Sequence, residues 1–473
     1  MFTISHDKLK TVVNNKSLPY IYIALYLIIF YFFDHKAIMY IAASLILIEI
    51  FKKHKWTILF LINMYALIYD KLATHVKAHF KIELIDILDL SLPGYSYESI
   101  PVREYILLAM LVFMFFIALL FFAIKKYKLK ISPFLAIVVT LLLWNFLGVQ
   151  RQLGSIGLIW GILLLHSVFF LIYEFSNADV GGGVKTFLQR VTLAIPFWQL
   201  TSSPIMPVLM GSQYANRVET NDEDQKNELR LRAVKQIFVL FCIKIFVRGL
   251  LIVLADKGFI LNITQTRMEK IMNSNLSHST WLTLGSHYIN FIIIEVIVEA
   301  GAIITMLWML GCDVANNTNR IEKSYTISDL MKRLYFYYNQ MIVSFFIMPV
   351  YSMLRNVFPS KRVKWFTSVF VGVFVGGMCF STLRAALLVN TSNSAYWSSL
   401  GGRSLYFISL AFALSISSLN LFQVKEEDHW SKRILATIFV FTIYFVMFIS
   451  EIKPYRIEFE DRLRFLGRLF GII

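Results

Sequence analysis

Two carboxylates stand inside an apolar run where charge is costly. Glu295 and Glu299 fall within residues 281–311, four positions apart, so a helix carries them on one face. Arg384 stands in a later apolar run, 365–391. Ionisable groups at membrane depth ordinarily point into a cavity or towards a partner. Two chemistries fit the three residues. A Glu–Arg–Glu cluster neutralises its own charge and ties helices together. Alternatively, burial disfavours the ionised carboxyl and raises its pKa, which prepares it to act as a general base. Tyr335, Tyr337, Tyr338 and Asn339 can hydrogen-bond a carbonyl or a sugar hydroxyl, or pack as an aromatic layer. His287, two turns before Glu295, and His166 are lone histidines on apolar helices, which points to hydrogen bonding within the core. Lys244 and Arg248 share one side of another apolar run and are expected to snorkel to lipid headgroups.

The element that must position the tyrosine and asparagine group spans residues 316–350, NNTNRIEKSYTISDLMKRLYFYYNQMIVSFFIMPV. Thr326 or Ser328 can cap a helix start, because a side-chain oxygen satisfies a free backbone N–H there. Ile327, Leu330, Met331 and Leu334 recur at helical spacing as one apolar stripe, with Asp329, Lys332 and Arg333 opposite. From Met341 to Val350 nearly every position is apolar. The spacing therefore predicts a helix that starts in water and ends in protein or lipid. An interfacial helix that only braces a bundle fits the same periodicity.

The wider chain sets the environment. Its 473 residues are 57 % hydrophobic, 16 % aromatic and 16 % charged, with mean hydropathy +0.63. A soluble domain has about 45–50 % apolar and about 25 % charged residues. An all-α, polytopic membrane protein is expected, with about 11 transmembrane helices plus re-entrant and interfacial helices. The net charge of +16 lies in short clusters beside apolar runs, which suits orientation signals and anionic headgroups, not nucleic acid. Cys242, Cys312 and Cys379 are far apart and show no metal spacing, so no metal is expected.

Expected spans lie at 18–33, 37–51, 56–69, 105–124, 131–149, 154–174, 236–255, 281–311, 365–391, 403–422 and 434–451. The first run should remain as an anchor. Residues 185–209 carry Pro196, Pro204 and Pro207 and read as re-entrant or broken. Residues 72–104 read as an interfacial excursion, and the tail 457–473 as an amphipathic surface helix. Gly181-Gly182-Gly183 is a flexible joint, with no Lys-Ser/Thr pair to make a phosphate loop. Three regions follow: 1–184 with N-terminal spans, 185–390 as a core, and 391–473 with C-terminal spans and the tail. The dense positive clusters at 52–55 and 125–130 put the N-terminus in the cytoplasm, together with segment 210–235 and the cluster 361–364. No inverted repeat favours a secondary transporter.

Three ordered blocks within 185–390 resemble the membrane-bound O-acyltransferases, in the bacterial branch that acylates teichoic acids and alginate. Phe197-Trp198-Gln199-Leu200-Thr201-Ser202-Ser203-Pro204-Ile205 is similar to that family's FPQL-x-x-GPI element. Ala255-Asp256 follows a basic and apolar helix. Asn317-Thr318-Asn319, Thr326-Ile327-Ser328-Asp329, Lys332-Arg333 and Pro349 keep the family spacing without a gap. Two departures matter for chemistry. The family's first histidine position is Tyr335 here, and its second, after Gly376-Gly377-Met378-Cys379, is Phe380. Imidazole titrates near pH 6.5, tyrosine near 10, and phenylalanine moves no proton.

The resemblance implies an acyltransferase fold in the bacterial cytoplasmic membrane. Tyr335, Glu295, Glu299 and Arg384 are then the altered catalytic candidates, clustered at the narrowest point of a pore. Asn319, Arg333 and Asn339 are the candidates for binding substrate. No permanently bound cofactor is implied; an acyl carrier protein or acyl-CoA is the donor, and a carrier or extracytoplasmic helper protein is a partner. The acceptor class is a cell-surface polysaccharide, a lipid or a small hydroxylated molecule. A catalytically silent homologue that binds or assembles components of surface-polymer modification or export stays open. A lipid or polymer transporter stays open too.

Overall fold

The computed structural model describes residues 17–33, 38–66, 111–112, 115, 170, 173, 184–194, 211–260, 278–388, 394–419, 424, 427–451, 464 and 467–468. The excursion 72–104, His166, the glycine joint, the FPQL-like block, and almost all of the runs 105–124, 131–149 and 154–174 and of the tail lie outside the described residues.

Every regular element among them is helical; the single β-type pairing is an isolated bridge between Glu219 and Cys312. In chain order the helices are α1 (Leu18–Phe33), α2 (Ile38–Ile50), α3 (Lys55–Ala66), α4 (Val184–Ala194), α5 (Gly211–Val218) and α6 (Glu223–Asp256). Helix α7 runs through His278–Asn290, a π-helical stretch Phe291–Glu299, and Ala300–Met309. Helix α8 is Ile327–Leu334, and α9 joins Phe336–Ile342, π-helical Val343–Ile347 and Met348–Met353. Then come α10 (Lys361–Leu388), α11 (Ser394–Ser418) and α12 (Trp430–Glu451).

Among the described residues four stretches are long and apolar enough to cross a membrane: Glu223–Asp256, Thr280–Met309, Lys361–Cys379 and Trp430–Ile449. Leu18–Phe33, Ile38–Ile50 and Arg403–Ser418 are shorter apolar helices.

Two apolar cores share α7. In the first, α1, α2, α3 and α6 close on the C-terminal half of α7 around Tyr26, Trp56, Ile237, Ile304 and Trp308. In the second, α8 to α12 close around Leu330, Tyr335, Phe346, Leu410 and Tyr444. The π-helical stretch is the junction. Ile294 and Val298 enter the first core, while Ile292 and Val296 enter the second. A wider turn presents two buried faces where an ordinary helix has one stripe.

The end of α7 is fixed by a left-handed Gly311, φ +78. Cys312 N–H returns to Leu307 O at 2.9 Å and Gly311 N–H to Trp308 O at 2.9 Å, the paired bonds of a Schellman cap. The chain then pairs with the end of α5 and the link to α6 through Thr220 N–H to Gly311 O, 3.0 Å, and Asp313 N–H to Val218 O, 2.7 Å.

Lys244 is engaged within the protein. Its ammonium donates to Phe33 O at 2.6 Å and lies 4.0 Å above the Phe33 ring, so it closes the C-terminal end of α1. A cation there meets the negative end of the helix dipole.

Candidate functional site

The 316–350 stretch is not one continuous helix. Thr326 caps α8 by accepting from Asp329 N–H at 3.0 Å, and Ser328 N–H donates to Ser417 Oγ of α11 at 3.1 Å. The stripe Ile327, Leu330, Met331 and Leu334 is buried as its spacing predicts. At Tyr335 the backbone leaves helical geometry (φ −131, ψ 61) and a new helix begins. The preceding polar loop satisfies the groups freed by the break. Asn319 N–H donates to Arg333 O at 2.8 Å, Phe336 N–H to Asn317 O at 3.1 Å, and Tyr337 OH to Ala315 O at 2.8 Å. A break can sit inside a helical core only if its backbone groups find such partners.

From Tyr335 the two arms diverge. Helix α8 lies against α11 and α12, whereas α9 lies against α10. The second contact needs glycine. A Cβ on Gly372 would stand 2.8 Å from both the backbone N and Cα of Ile347, and one on Gly376 would stand 2.5 Å from Ile342 Cδ1. This Gly-x-x-x-Gly spacing lets two helices approach without intervening side chains. The pairings 342 with 376 and 347 with 372 make α9 antiparallel to α10. Tyr335 is therefore the inner apex of a V.

A cleft of about 440 Å³ lies between the arms, within the range of about 300–1,000 Å³ of ligand pockets. Helices α10 and α11 back it with Trp365, Val369 and Val373, and with Leu410, Leu414 and Ser418. Each row steps by four residues, so each is one helix face about 12 Å long. Ile342, Val343 and Ile347 of α9 complete an apolar wall. At the outer end Thr326, Ser328, Asp329, Lys332 and Ser418 are polar; towards the apex stand Tyr338 and Asn339. The cleft is wet at its rim and apolar along its walls.

The structure divides the sequence candidates. Asn339 lines the cleft. Tyr335 does not; it is 2 % exposed, and its hydroxyl shares a hydrogen bond of 2.9 Å with Tyr444, which contacts the Tyr406 hydroxyl at 3.4 Å. Tyr288 joins this group from α7, donating to Phe441 O at 3.2 Å with its ring 6.0 Å from Tyr444. Glu295 is exposed and Glu299 half-buried on the π-helical stretch, and neither lines the cleft. Asn319 is exposed, Arg333 half-buried, and both act here through the backbone bond between them. Phe380 and Arg384 lie in the last turns of α10, with side chains outside the described residues. His287 carries a buried Nε2 with no hydrogen-bond partner among the described residues, against the expectation for a core histidine.

Sequence reasoning missed Asp329 and Lys332 as site residues, having read them as the polar face of the helix and as part of a family-like block. It also missed the rows on α10 and α11, because a cleft-lining stripe and a core stripe have the same spacing.

A second polar assembly lies at the junction of α2, α3 and α6. Glu49 and Arg230 form a buried ion pair, and Lys52 bridges Glu49 at 3.1 Å and Glu223 at 3.3 Å. Lys55 donates to Glu219 at 2.9 Å and to Leu310 O at 2.8 Å, with Cys312 Sγ at 3.7 Å. Burial alone lowers the Lys55 pKa, but the negative charge and hydrogen bonds around it outweigh that, and it lies above the ordinary value. Burial pushes the Cys312 thiol up from its ordinary value. Each of these side chains has a partner from another element or its own, so the assembly braces the helices, although the buried Arg230 Nε has no hydrogen-bond partner among the described residues.

Among the described residues no group of three or more His, Cys, Asp or Glu side chains is arranged to hold a metal ion. No protein-family model matches the chain, and no curated protein matches it either.

Proposed function

We propose that this is an integral membrane protein similar to the membrane-bound O-acyltransferases, which seats an acyl-bearing amphiphile in the cleft between α8 and α9. On this reading it serves acylation of a cell-surface polysaccharide, a lipid or a small hydroxylated acceptor in a bacterial cytoplasmic membrane. The observation that carries the proposal is the cleft itself. A polar rim continuing into apolar walls, about 12 Å long on α10, matches a molecule with a polar head and a hydrocarbon tail. The same segment, Thr326 to Pro349, carries much of the family-like spacing. The remaining spans of an 11-helix, N-terminus-inside topology belong to this proposal, as do a donor such as acyl-CoA or an acyl carrier protein and an extracytoplasmic helper.

The geometry favours holding and presenting the acyl group over transferring it. The Tyr335 hydroxyl is engaged with Tyr444, and Glu295 and Glu299 lie off the cleft wall. Acyl transfer by the chain itself is the second reading, and Asn339 favours it. Its amide lines the cleft one turn from Tyr335 and can donate to a carbonyl oxygen. The experiment offers radiolabelled acyl-CoA or acyl carrier protein to membranes containing the full chain, with hydroxylated glycan and lipid acceptors. The presenting role predicts amphiphile binding without transfer unless a second protein is supplied. Transfer by the chain alone, reduced about 10²-fold or more in Asn339→Ala, establishes the second reading in its place.

A further inference from the structure

We infer that the occupant of the cleft is a zwitterionic phospholipid, whose phosphate is held by Lys332 and whose ammonium is held by Asp329. This rests on the proposed seating of an amphiphile in the cleft and names its chemical class. Asp329 and Lys332 sit three residues apart on α8 and both line the rim. Their side chains make no hydrogen bond or ion pair with any described residue, although opposite charges at this spacing commonly pair. Among the described residues the rim therefore offers a cation and a carboxylate within one turn that pair with no other side chain, with Thr326, Ser328 and Ser418 hydroxyls around them.

Charge complementarity selects among headgroups. An anionic headgroup without an amine satisfies Lys332 but stands against the Asp329 carboxylate. A neutral diacylglycerol leaves both ions unanswered. A phosphate joined to an ammonium by a short linker answers both, and its acyl chain continues along Val369, Val373, Leu410 and Leu414. The apolar row requires that chain, so free phosphoethanolamine lacks most of the contact.

Native mass spectrometry of the detergent-solubilised full chain tests this. Phosphatidylethanolamine, phosphatidylglycerol, diacylglycerol and free phosphoethanolamine are each titrated in. The expected order puts phosphatidylethanolamine first, with phosphoethanolamine unbound. Asp329→Asn lowers phosphatidylethanolamine binding about tenfold, as loss of one charge-assisted contact does, while leaving phosphatidylglycerol binding equal or stronger. Lys332→Gln weakens both phospholipids. Both substitutions lie on a half-buried or exposed face and leave the α8 stripe intact. Equal binding of phosphatidylglycerol and phosphatidylethanolamine, or Asp329→Asn behaving as wild type, overturns the headgroup assignment and leaves the cleft reading standing. If the lipids that bind are unaffected by both these substitutions and by the cleft-filling Leu414→Phe, the cleft reading fails along with the headgroup assignment.

Discussion

At the scale of single residues, the structure turns on positions where one atom has no room to spare. Gly372 is the tightest, because an added methyl meets the backbone of Ile347 and not a movable side-chain end. Gly372→Ala is expected to destabilise by about 1–3 kcal/mol, the range for overpacking, seen as a lower thermal midpoint in detergent. Gly249 has nothing within 4 Å of an added Cβ, so Gly249→Ala should leave that midpoint where it is or raise it. Lys55 offers a pH test. Its folded pKa lies above the ordinary 10.5, so its ion pair with Glu219 stabilises fully below that value and fades as pH rises through the folded pKa. Lys55→Met should flatten the alkaline part of the stability profile measured by thermal unfolding, and a profile as steep as wild type would assign the loss to other groups. The glycines could be quoted from the sequence, but not their role: Gly376-Gly377 marked a family-like element, while their neighbours Ile342, Phe346 and Phe407 emerge only from the packing.

At the scale of elements, the α8 cap and stripe were legible because they depend on neighbours within four residues. The break at Tyr335 was not. Nothing local forbids helix across Tyr335-Phe336, and the reason for the break lies in the loop 315–319, which supplies acceptors and a donor from outside the helix. The same limit hid both π-helical stretches, whose widened turns answer to two cores on opposite sides of α7 and to the glycine face of α10. Thr326→Ala removes the α8 cap and should cost about 0.5–2 kcal/mol, with Thr326→Ser restoring most of it. Amide exchange localised to residues 326–334 checks this, since fraying of the cap should speed exchange there before it changes the global midpoint.

At the scale of the whole molecule, composition made an apolar helical chain legible, and the described residues include four helices of crossing length. The function was less legible because the expected catalytic groups were chosen for charge in apolar surroundings. Glu295 satisfies that criterion yet is exposed on the outer side of α7. The candidate site instead arises where three unremarkable stripes converge, from α9, α10 and α11, beneath two ions of α8 that pair with no described residue. The central claim is that this convergence holds a hydrocarbon chain. A phospholipid carrying a photoreactive diazirine in one acyl chain, crosslinked to the wild-type protein in nanodiscs and mapped by peptide sequencing, tests it most directly. The account predicts adducts at Val369, Val373, Leu410 or Leu414 that excess unlabelled lipid suppresses at much lower concentration than it suppresses labelling of exposed apolar residues such as Phe246 and Phe439. Adducts confined to those outer residues, with the cleft rows unlabelled at every lipid concentration, would contradict it.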